Sequence, residues 1–425
     1  MIPSRSFDVL VVGAGPAGLA ASVCASGEGR LVGVVDDNPD VGGQIWRGER
    51  ATPSDPEAAR WFQRASDANP VVLPGTRILG RSGEQALLAE SDGRVIELNY
   101  RRLILATGAR ELFLPFPGWT RPNVLGAGGI QAMVKAGMSV QGRRVIVAGS
   151  GPLLLAVAAL LRKRGASVAA IVEQAPLSKL VGFGLGLWSA PGKIRQAIGL
   201  RASLGGVPLR AGWWPVEAQG STGTGPVHSV TITDGRSTRS EPCDLLACGF
   251  GLVPNLELAL LLGCATDRDA VSVDARQETS IPGVFAAGEA TGVGGLDAAL
   301  VEGQVAGYSA VGQEALARPL YAGRDQTRRF ARSLEVAFAL RPELRRLARA
   351  DTVVCRCEDV RAGAIAGMAN WTDAKLQTRL GMGPCQGRVC GGAVNFLHGW
   401  TKASIRPPLY PTTLDNLATV IAESQ

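Results

Sequence analysis

The sequence predicts an α/β chain of two doubly wound units, followed by a small, mainly helical module. Three observations carry this reading. An apolar strand, a glycine turn and a small-residue helix occur in that order twice; an acid ends the following strand in each copy; and four cysteines cluster near the C-terminal end.

The first copy opens the chain. Phe7-Asp8-Val9-Leu10-Val11-Val12 is too short an apolar run for anything but a buried strand, and it breaks at Gly13-Ala14-Gly15-Pro16-Ala17-Gly18 before small, helix-compatible residues. Gly13 permits the turn, Gly15 lets a pyrophosphate approach the backbone, and Gly18 lets helix and strand pack closely. The helix N-terminus offers unpaired N–H groups to phosphate, with Pro16 and Ala17 completing the loop. Val34-Val35-Asp36 ends the next strand at the expected interval of about 20 residues, where a carboxylate accepts adenosine ribose hydroxyls. Asp37 follows it and joins the candidate set. Val41-Gly42-Gly43-Gln44 is then a loop, and Ser54-Asp55-Pro56-Glu57 predicts a capping box opening a helix through about Asn69. Alternating strands run from Val71 to Leu98, and Leu103-Ile104-Leu105-Ala106-Thr107-Gly108 returns to the core.

The second copy has strand Arg144–Ala148, turn Gly149-Ser150-Gly151-Pro152, an apolar helix to Leu161, and Glu173 ending the next strand. Leu154 stands where the fingerprint wants Gly or Ala, which pushes the helix from its strand or from a ligand. Two readings stay open: a working NAD(H) site with Glu173 preferring the non-phosphorylated ribose, or a scaffold whose cleft is empty or holds another nucleotide. The scaffold is preferred. This unit runs to Cys248-Gly249-Phe250-Gly251, and Val253-Pro254-Asn255 leads back to the first. Gly283-Val284-Phe285-Ala286-Ala287-Gly288-Glu289 is a further buried-strand pattern whose closing carboxylate suits a ribityl chain. Leu296 to about Leu316 reads as one long closing helix carrying Glu302, Gly303 and Gln304.

These motifs resemble the two-dinucleotide-domain flavoproteins that include the pyridine nucleotide–disulfide reductases, with Rossmann-like FAD- and NAD(P)-binding domains. The resemblance covers roughly the first three quarters of the chain. It implies that Gly13, Gly15, Gly18 and Asp36 bind the ADP half of FAD, that Gly43 and Gln44 lie beside the cofactor, that Ala106-Thr107-Gly108 links the domains next to FAD, and that Gly288-Glu289 reaches the flavin side. Glu289 is one methylene longer than the Asp usual there. The paired redox cysteines of the disulfide reductases are replaced by Gln44, Ile45, Trp46 and Arg47, so dithiol chemistry is not expected.

Composition sets the bounds. The chain has 425 residues, 46% of them hydrophobic and 19% charged, enough for a large core divided among two or three domains. No apolar run approaches the roughly 18 residues of a membrane span; Leu153 to Leu161 comes nearest, and Arg162-Lys163-Arg164 ends it. Arg5 before apolar residues invites a signal-peptide reading, but Asp8 and the glycine pattern fit the dinucleotide fold better. A cytoplasmic location is expected, with any association at the inner face of the membrane left to partners or the electron acceptor. A net charge of +7 comes without nucleic-acid-binding motifs, so no nucleic acid is expected as a partner. Arg324, Arg328, Arg329, Arg332, Arg341, Arg345, Arg346 and Arg349 crowd one segment, read as a solvated helical face. Only His228 and His398 are present, too few for a His-based triad or a multi-histidine metal site.

Cys24, Cys243, Cys248 and Cys264 sit singly in apolar surroundings and read as small core residues. Cys355-Arg356-Cys357 and Cys385-Gln386-Gly387-Arg388-Val389-Cys390 form the cluster. On an extended backbone Cys355 and Cys357 point to one side and can bind one iron, leaving Cys385 and Cys390 for the other. Four thiolates meet the need of a [2Fe–2S] centre, and Gly381, Gly383, Gly391 and Gly392 allow close backbone approach. Structural zinc and disulfides are the alternatives; the one-residue gap is tighter than usual zinc spacing, and a cytosolic setting argues against disulfides. Thr378 through Cys390 resembles the bacterioferritin-associated-ferredoxin-like [2Fe–2S] domain. Together the parts are similar to the FAD and iron–sulfur subunit of heteromeric amino-acid dehydrogenases: opine oxidases, hydrogen cyanide synthase and D-hydroxyproline dehydrogenase. The resemblance implies a D-amino-acid-oxidase-type flavoprotein partner and a small ferredoxin-like subunit.

The expected organisation is an FAD-binding domain in two parts (1–140 and 256–320), a second dinucleotide domain (141–255), a basic helical linker (321–350) and a [2Fe–2S] domain with tail (351–425). The expected function is electron transfer within a heteromeric enzyme oxidising an amino acid or N-substituted amino acid. The competing readings are a self-contained NAD(P)H-dependent reductase and a zinc-bearing assembly or sensing module.

Overall fold

The strand Ser4–Val12 occupies the middle of the first sheet, as its almost wholly apolar second half requires. It pairs in parallel with Val32–Val35 on one side and Arg94–Leu105 on the other. The sheet runs Val71–Leu73, Val32–Val35, Ser4–Val12, Arg94–Leu105, Ala86–Ser91, Arg77–Gly83, with Val284–Ala286 added in parallel to the end of Arg94–Leu105. The structure, a computed structural model, describes residues 2–27, 29–186, 191–402 and 405–423. Two compact units divide the chain: residues 1–110, 253–331 and 404–425 form the first, and residues 111–252 and 332–403 the second.

In the first unit the helix Pro16–Ala25 is buried along nearly its whole length. The helix Leu296–Ala310 lies against it backbone to backbone: a Cβ at Gly303 would fall 2.2 Å from the Ala17 carbonyl oxygen, and one at Gly307 2.4 Å from that of Ala21. Glycine at both positions is what permits that approach. The closing helix is shorter than expected, because the chain turns at Gly312 (φ +73°) and resumes as Glu314–Ala317. The helix Pro56–Ala68 is capped by Asp55, not Ser54: Asp55 accepts from the Glu57 N–H, Pro56 takes the first helical position, and Ser54 is held by Glu49. Asn69 ends it in the left-handed conformation at φ 48°.

The second unit repeats the plan. Its five-stranded parallel sheet has the order Leu209–Ala211, Ser167–Glu173, Arg144–Gly149, Leu245–Gly249, Val124–Gly126. Residues 111–140, read from sequence with the first domain, pack here because Val124–Gly126 pairs with Leu245–Gly249. A three-stranded antiparallel sheet, Trp214–Gly220, Val227–Thr233 and Thr238–Pro242, lies beyond it. Leu154 is 1% exposed and belongs to a core with Val147, Val157, Leu161 and Ile171. The cysteine module has a short ladder, Val353–Cys355 with Val360–Arg361, and helices Trp371–Thr378 and Cys390–His398 around Ile365 and Leu380.

Two further expectations change. The tail, read with the cysteine module, packs in the first unit: the Leu409 N–H donates to the Leu79 carbonyl, and Val420 joins Leu79, Leu88 and Val95. The arginine-rich segment is not a simple solvated face. Arg324 is 4% exposed and bonds the Ala275 carbonyl and Asp325; Arg328 bonds Glu302 and Gln277; Arg341 lies over Trp214 and donates to the Gly212 carbonyl. Cys24, Cys243, Cys248 and Cys264 are all buried.

Candidate functional site: two glycine loops and two thiol pairs

The first glycine loop is shaped by contacts that exclude side chains. At Gly13 (φ +108°) a Cβ would fall 2.1 Å from the Ala106 carbonyl oxygen; at Gly18 it would fall 1.8 Å from that of Gly13. At Gly15 an added Cβ would meet only the Gly43 Cα, at 3.9 Å, so the backbone there is less crowded and a phosphate can approach it. Asp36 is buried at the strand end; one carboxylate oxygen accepts the Ala14 N–H at 2.6 Å, the other the Asn38 N–H at 2.8 Å. Asp37 and Gln44 are exposed beside this loop, Asp37 accepting from Asn38 and Gln44 from Arg47.

Ala106-Thr107-Gly108 is fixed from a distance. The Thr107 hydroxyl donates to the Asn255 carbonyl at 2.8 Å, the Asn255 side chain donates back to the Thr107 carbonyl at 2.9 Å, and Arg110 bonds both Asn255 and Glu257. Gly288 lies so near Ala17 that a Cβ would stand 2.7 Å from the Ala17 methyl. Its N–H donates to the buried Glu302 carboxylate at 3.0 Å, which also accepts the Thr291 hydroxyl at 2.6 Å and pairs with Arg328 at 2.8 Å. Glu289 accepts the Gly295 N–H through one oxygen; the other is buried with no hydrogen-bond partner, and burial pushes the carboxyl up to about 7. An orphaned acceptor beside a glycine cradle fits a hydroxyl-bearing ligand. The structure thus brings Gly13, Gly15, Pro16, Ala17, Gly18, Asp36, Gly43, Ala106 and Gly288 into one constellation. Asn255, Arg110, Glu302, Arg328 and Gln277 complete it; of these the sequence singles out Asn255, Glu302 and, within a basic run, Arg328.

The second loop repeats the geometry but spends it differently. A Cβ at Gly149 would fall 1.8 Å from the Gly249 carbonyl, as Gly13 does against Ala106, while Gly151 faces open space. Glu173 is 4% exposed, accepts the Gly151 and Ala175 N–H groups at 2.7 and 2.8 Å, and is pushed up to about 7 by burial. Next to it Ser150 and Gln174 are tied to the segment Phe338–Arg341. The Ser150 hydroxyl donates to the Phe338 carbonyl at 3.0 Å, and Gln174, fully buried, donates to Ser150 and to the carbonyls of Phe338 and Ala339 while accepting the Arg341 N–H. Nothing in the local sequence foretold this tether. Glu111, also unforeseen, sits at the start of helix Ala127–Lys135, accepts the Gly128 N–H at 2.9 Å and is pushed up to about 6 by burial.

The four clustered cysteines come together as two pairs. Cys355 and Cys390 are each 1% exposed and share one apolar cluster. The Cys390 thiol donates to the Cys355 sulfur, holding Cys355 down to about 6 and raising Cys390. Cys357 is exposed, and its thiol meets that of half-buried Cys385. The sequence expectation that Cys355 and Cys357 face one way is therefore corrected: the strand ends at Cys355, after a register shift, and the chain turns before Cys357. Among the described residues no group of three or more ligating side chains converges on one point. Arg356 lies over Trp119, whose indole donates to the Val353 carbonyl, and Arg388 donates to Gln386.

Residues 7–310 match the family described as pyridine nucleotide-disulphide oxidoreductase. The chain belongs to that family. This oxidoreductase is 31% identical over 424 residues to the HcnB component of hydrogen cyanide synthase from Pseudomonas aeruginosa, with 90% of each protein covered. It is 30% identical over 475 residues to a protein named as one of the subunits of opine oxidase from Rhizobium meliloti, covering 98% of this chain and 99% of that one. Among solved structures it shares its fold with the L-proline dehydrogenase from P. horikoshii (TM-score 0.68, 19% identity, 98% of this chain and 80% of that one). It also shares the fold of T. acidophilum thioredoxin reductase (TM-score 0.58, 21% identity), which covers 73% of this chain and 99% of that one. The family carries FAD or NAD(P), consistent with both glycine loops. No helix among the described residues is long and apolar enough to cross a membrane.

Proposed function

We propose that this chain is the FAD- and [2Fe–2S]-carrying electron-transfer subunit of a heteromeric enzyme that oxidises the C–N bond of an amino acid or N-substituted amino acid, of opine, hydroxyproline or glycine type. The observation that carries the reading is likeness along 90% or more of the chain to two proteins named as subunits of hydrogen cyanide synthase and opine oxidase. Substrate oxidation belongs to a D-amino-acid-oxidase-type flavoprotein partner, and a small ferredoxin-like subunit joins them.

FAD lies on the first loop. The N–H groups at the start of helix Pro16–Ala25 take the pyrophosphate, Asp36 takes the adenosine ribose, and the free oxygen of Glu289 accepts a ribityl hydroxyl. Glu302 and Arg328 hold Gly288 in place behind that contact. The thiolates of Cys355, Cys357, Cys385 and Cys390 hold the cluster; two separate thiol pairs suit two irons better than one tetrahedral zinc. Arg356 and Arg388 offset its negative charge. Flavin exchanges electrons in pairs and a [2Fe–2S] cluster singly, so together they divide a two-electron oxidation into one-electron steps.

The alternative, a self-contained NAD(P)H-dependent reductase, is favoured by the repeated glycine loop and opposed by Leu154, buried where the fingerprint wants Gly or Ala. Co-expression with a D-amino-acid-oxidase-type subunit tests the proposal. A stable complex that oxidises an amino acid is expected; failure to copurify under several conditions, with NADH-driven reduction of an acceptor by this chain alone, overturns it.

A further inference from the structure

We propose that two consecutive helices of the second unit, Leu177–Gly186 and Pro191–Ser203, dock this chain on an anionic lipid surface. They lie along the headgroup layer with their apolar side chains turned toward the acyl chains. The contact belongs to this chain itself and asks nothing of a partner subunit.

Leu177, Val181 and Leu185 recur every fourth residue and so stand on one face of their helix, while Ile198 stands on the next helix. All four are between 53 and 65% exposed. No residue of Leu177–Gly186 is buried, although the helix is largely apolar. It is held from its other side, where Phe183 meets the Phe338 ring edge-on at 5.6 Å between centroids. A Cβ added at Gly182 or Gly184 would meet no atom within 4 Å, so no described element covers this stretch. The second helix is anchored just past its end by Leu204, fully buried with Leu154 and Leu161.

The charges around these side chains have one sign. Between Glu173 and Glu217 the sequence holds no acid, but it holds Lys179, Lys193, Arg195, Arg201 and Arg210. Arg195 and Arg201 are exposed three residues to either side of Ile198, on its face of the helix. Arg162 donates to the Gly205 carbonyl at 2.8 Å, which sets the exposed run Arg162-Lys163-Arg164 beside the end of the second helix. Protein interfaces are depleted in lysine and match charges of both signs. Bare apolar side chains ringed by cations alone complement a surface of uniform negative charge, where apolar burial and attraction to anionic headgroups add. With 10 and 13 residues these helices are too short to cross a bilayer, for which about 20 are needed, so they lie along it.

Flotation of the full-length protein tests this, with vesicles of phosphatidylcholine alone and of phosphatidylcholine containing about one part in three phosphatidylglycerol. The wild-type protein is expected to float with the anionic vesicles and to be released as salt is raised. Leu177→Ser with Leu185→Ser should weaken that binding by about 100-fold, through the loss of two inserted side chains. Arg195→Gln with Arg201→Gln should weaken it by about 25-fold, at about fivefold for each charge removed from the surface. All four side chains are exposed, so both variants should keep the wild-type melting temperature. A measurement on the wild-type protein alone stands beside these: anionic vesicles should slow trypsin cleavage after Lys179, Arg195 and Arg201. Wild-type protein that stays with the solvent, binding that either pair of substitutions leaves at full strength, or cleavage that vesicles do not slow overturns the proposal. Protein that ignores vesicles, and whose Leu177→Ser, Leu185→Ser form no longer copurifies with a D-amino-acid-oxidase-type subunit, makes this face a protein interface and overturns lipid docking. None of these outcomes bears on the cofactors, so failure here leaves the proposed function standing.

Discussion

Replacing Glu302 by alanine removes the carboxylate that holds the Gly288 loop. Glu302 is 3% exposed and accepts three hydrogen bonds, from the Gly288 N–H, the Thr291 hydroxyl and Arg328. Thr291 keeps a second acceptor in the Gly288 carbonyl and loses little. The Gly288 N–H is left buried and unpaired, at a cost of about 1–3 kcal/mol, and the charge-assisted bond to Arg328 contributes about 1.5–3 kcal/mol. Arg328 is 28% exposed on its side chain and retains Gln277, so water recovers part of that second quantity. The expected loss is about 3 kcal/mol, the lower end of the range for breaking a buried ion pair. For a unit of about 200 residues this lowers the melting temperature by about 6–12 °C. Thermal denaturation followed by flavin release measures it. Wild-type flavin content with a melting shift below about 3 °C would refute this account of the loop.

Further predictions follow from the same contacts. Apoprotein affinity for FAD should weaken up to about tenfold between pH 8 and pH 6: a hydroxyl donor favours ionised Glu289, whose carboxyl in the ligand-free fold titrates near 7, so binding strengthens as pH rises through that value. Glu289→Gln should flatten this dependence, and an unchanged slope in fluorescence titrations would rule Glu289 out. Gly18→Val places carbon within 1.8 Å of the Gly13 carbonyl oxygen and should yield protein without visible flavin absorption; flavin retained at wild-type ratio would show that the loop tolerates displacement. Leu154→Ala should cost about 2–5 kcal/mol by emptying a core position and gain no NADH affinity, read by denaturant melts and calorimetry.

What the sequence disclosed was local. The spacing of Gly13, Gly15 and Gly18 is itself the geometry of the turn, because each glycine answers a steric demand set within one strand–turn–helix unit. Asp36 and Glu173 were legible for the same reason, as ends of short apolar strands at a fixed interval. Leu154 showed only that the second copy departs from the pattern; its place in the core depends on Val147 and Ile171, from two strands beneath its helix. The hydrogen bonds on that copy join Ser150 and Gln174 to Phe338–Arg341, and no short-range pattern couples segments so far apart. Glu302 was visible on its helix, but its partners Gly288 and Arg328, and the Gln277 that shares Arg328, lie on three other segments. The cysteine pairing misled because two-residue periodicity holds only while the strand continues, and it stops at Cys355.

An anaerobic visible absorption spectrum of the isolated chain, recorded before and during NADH addition, tests the central claim most directly. The account predicts flavin and cluster bands that both stay oxidised, since the second loop is followed by Leu154 where the fingerprint wants Gly or Ala and electrons enter from a partner. Bleaching of both bands within a catalytic time, or a spectrum lacking the cluster band in anaerobically prepared protein, would contradict it.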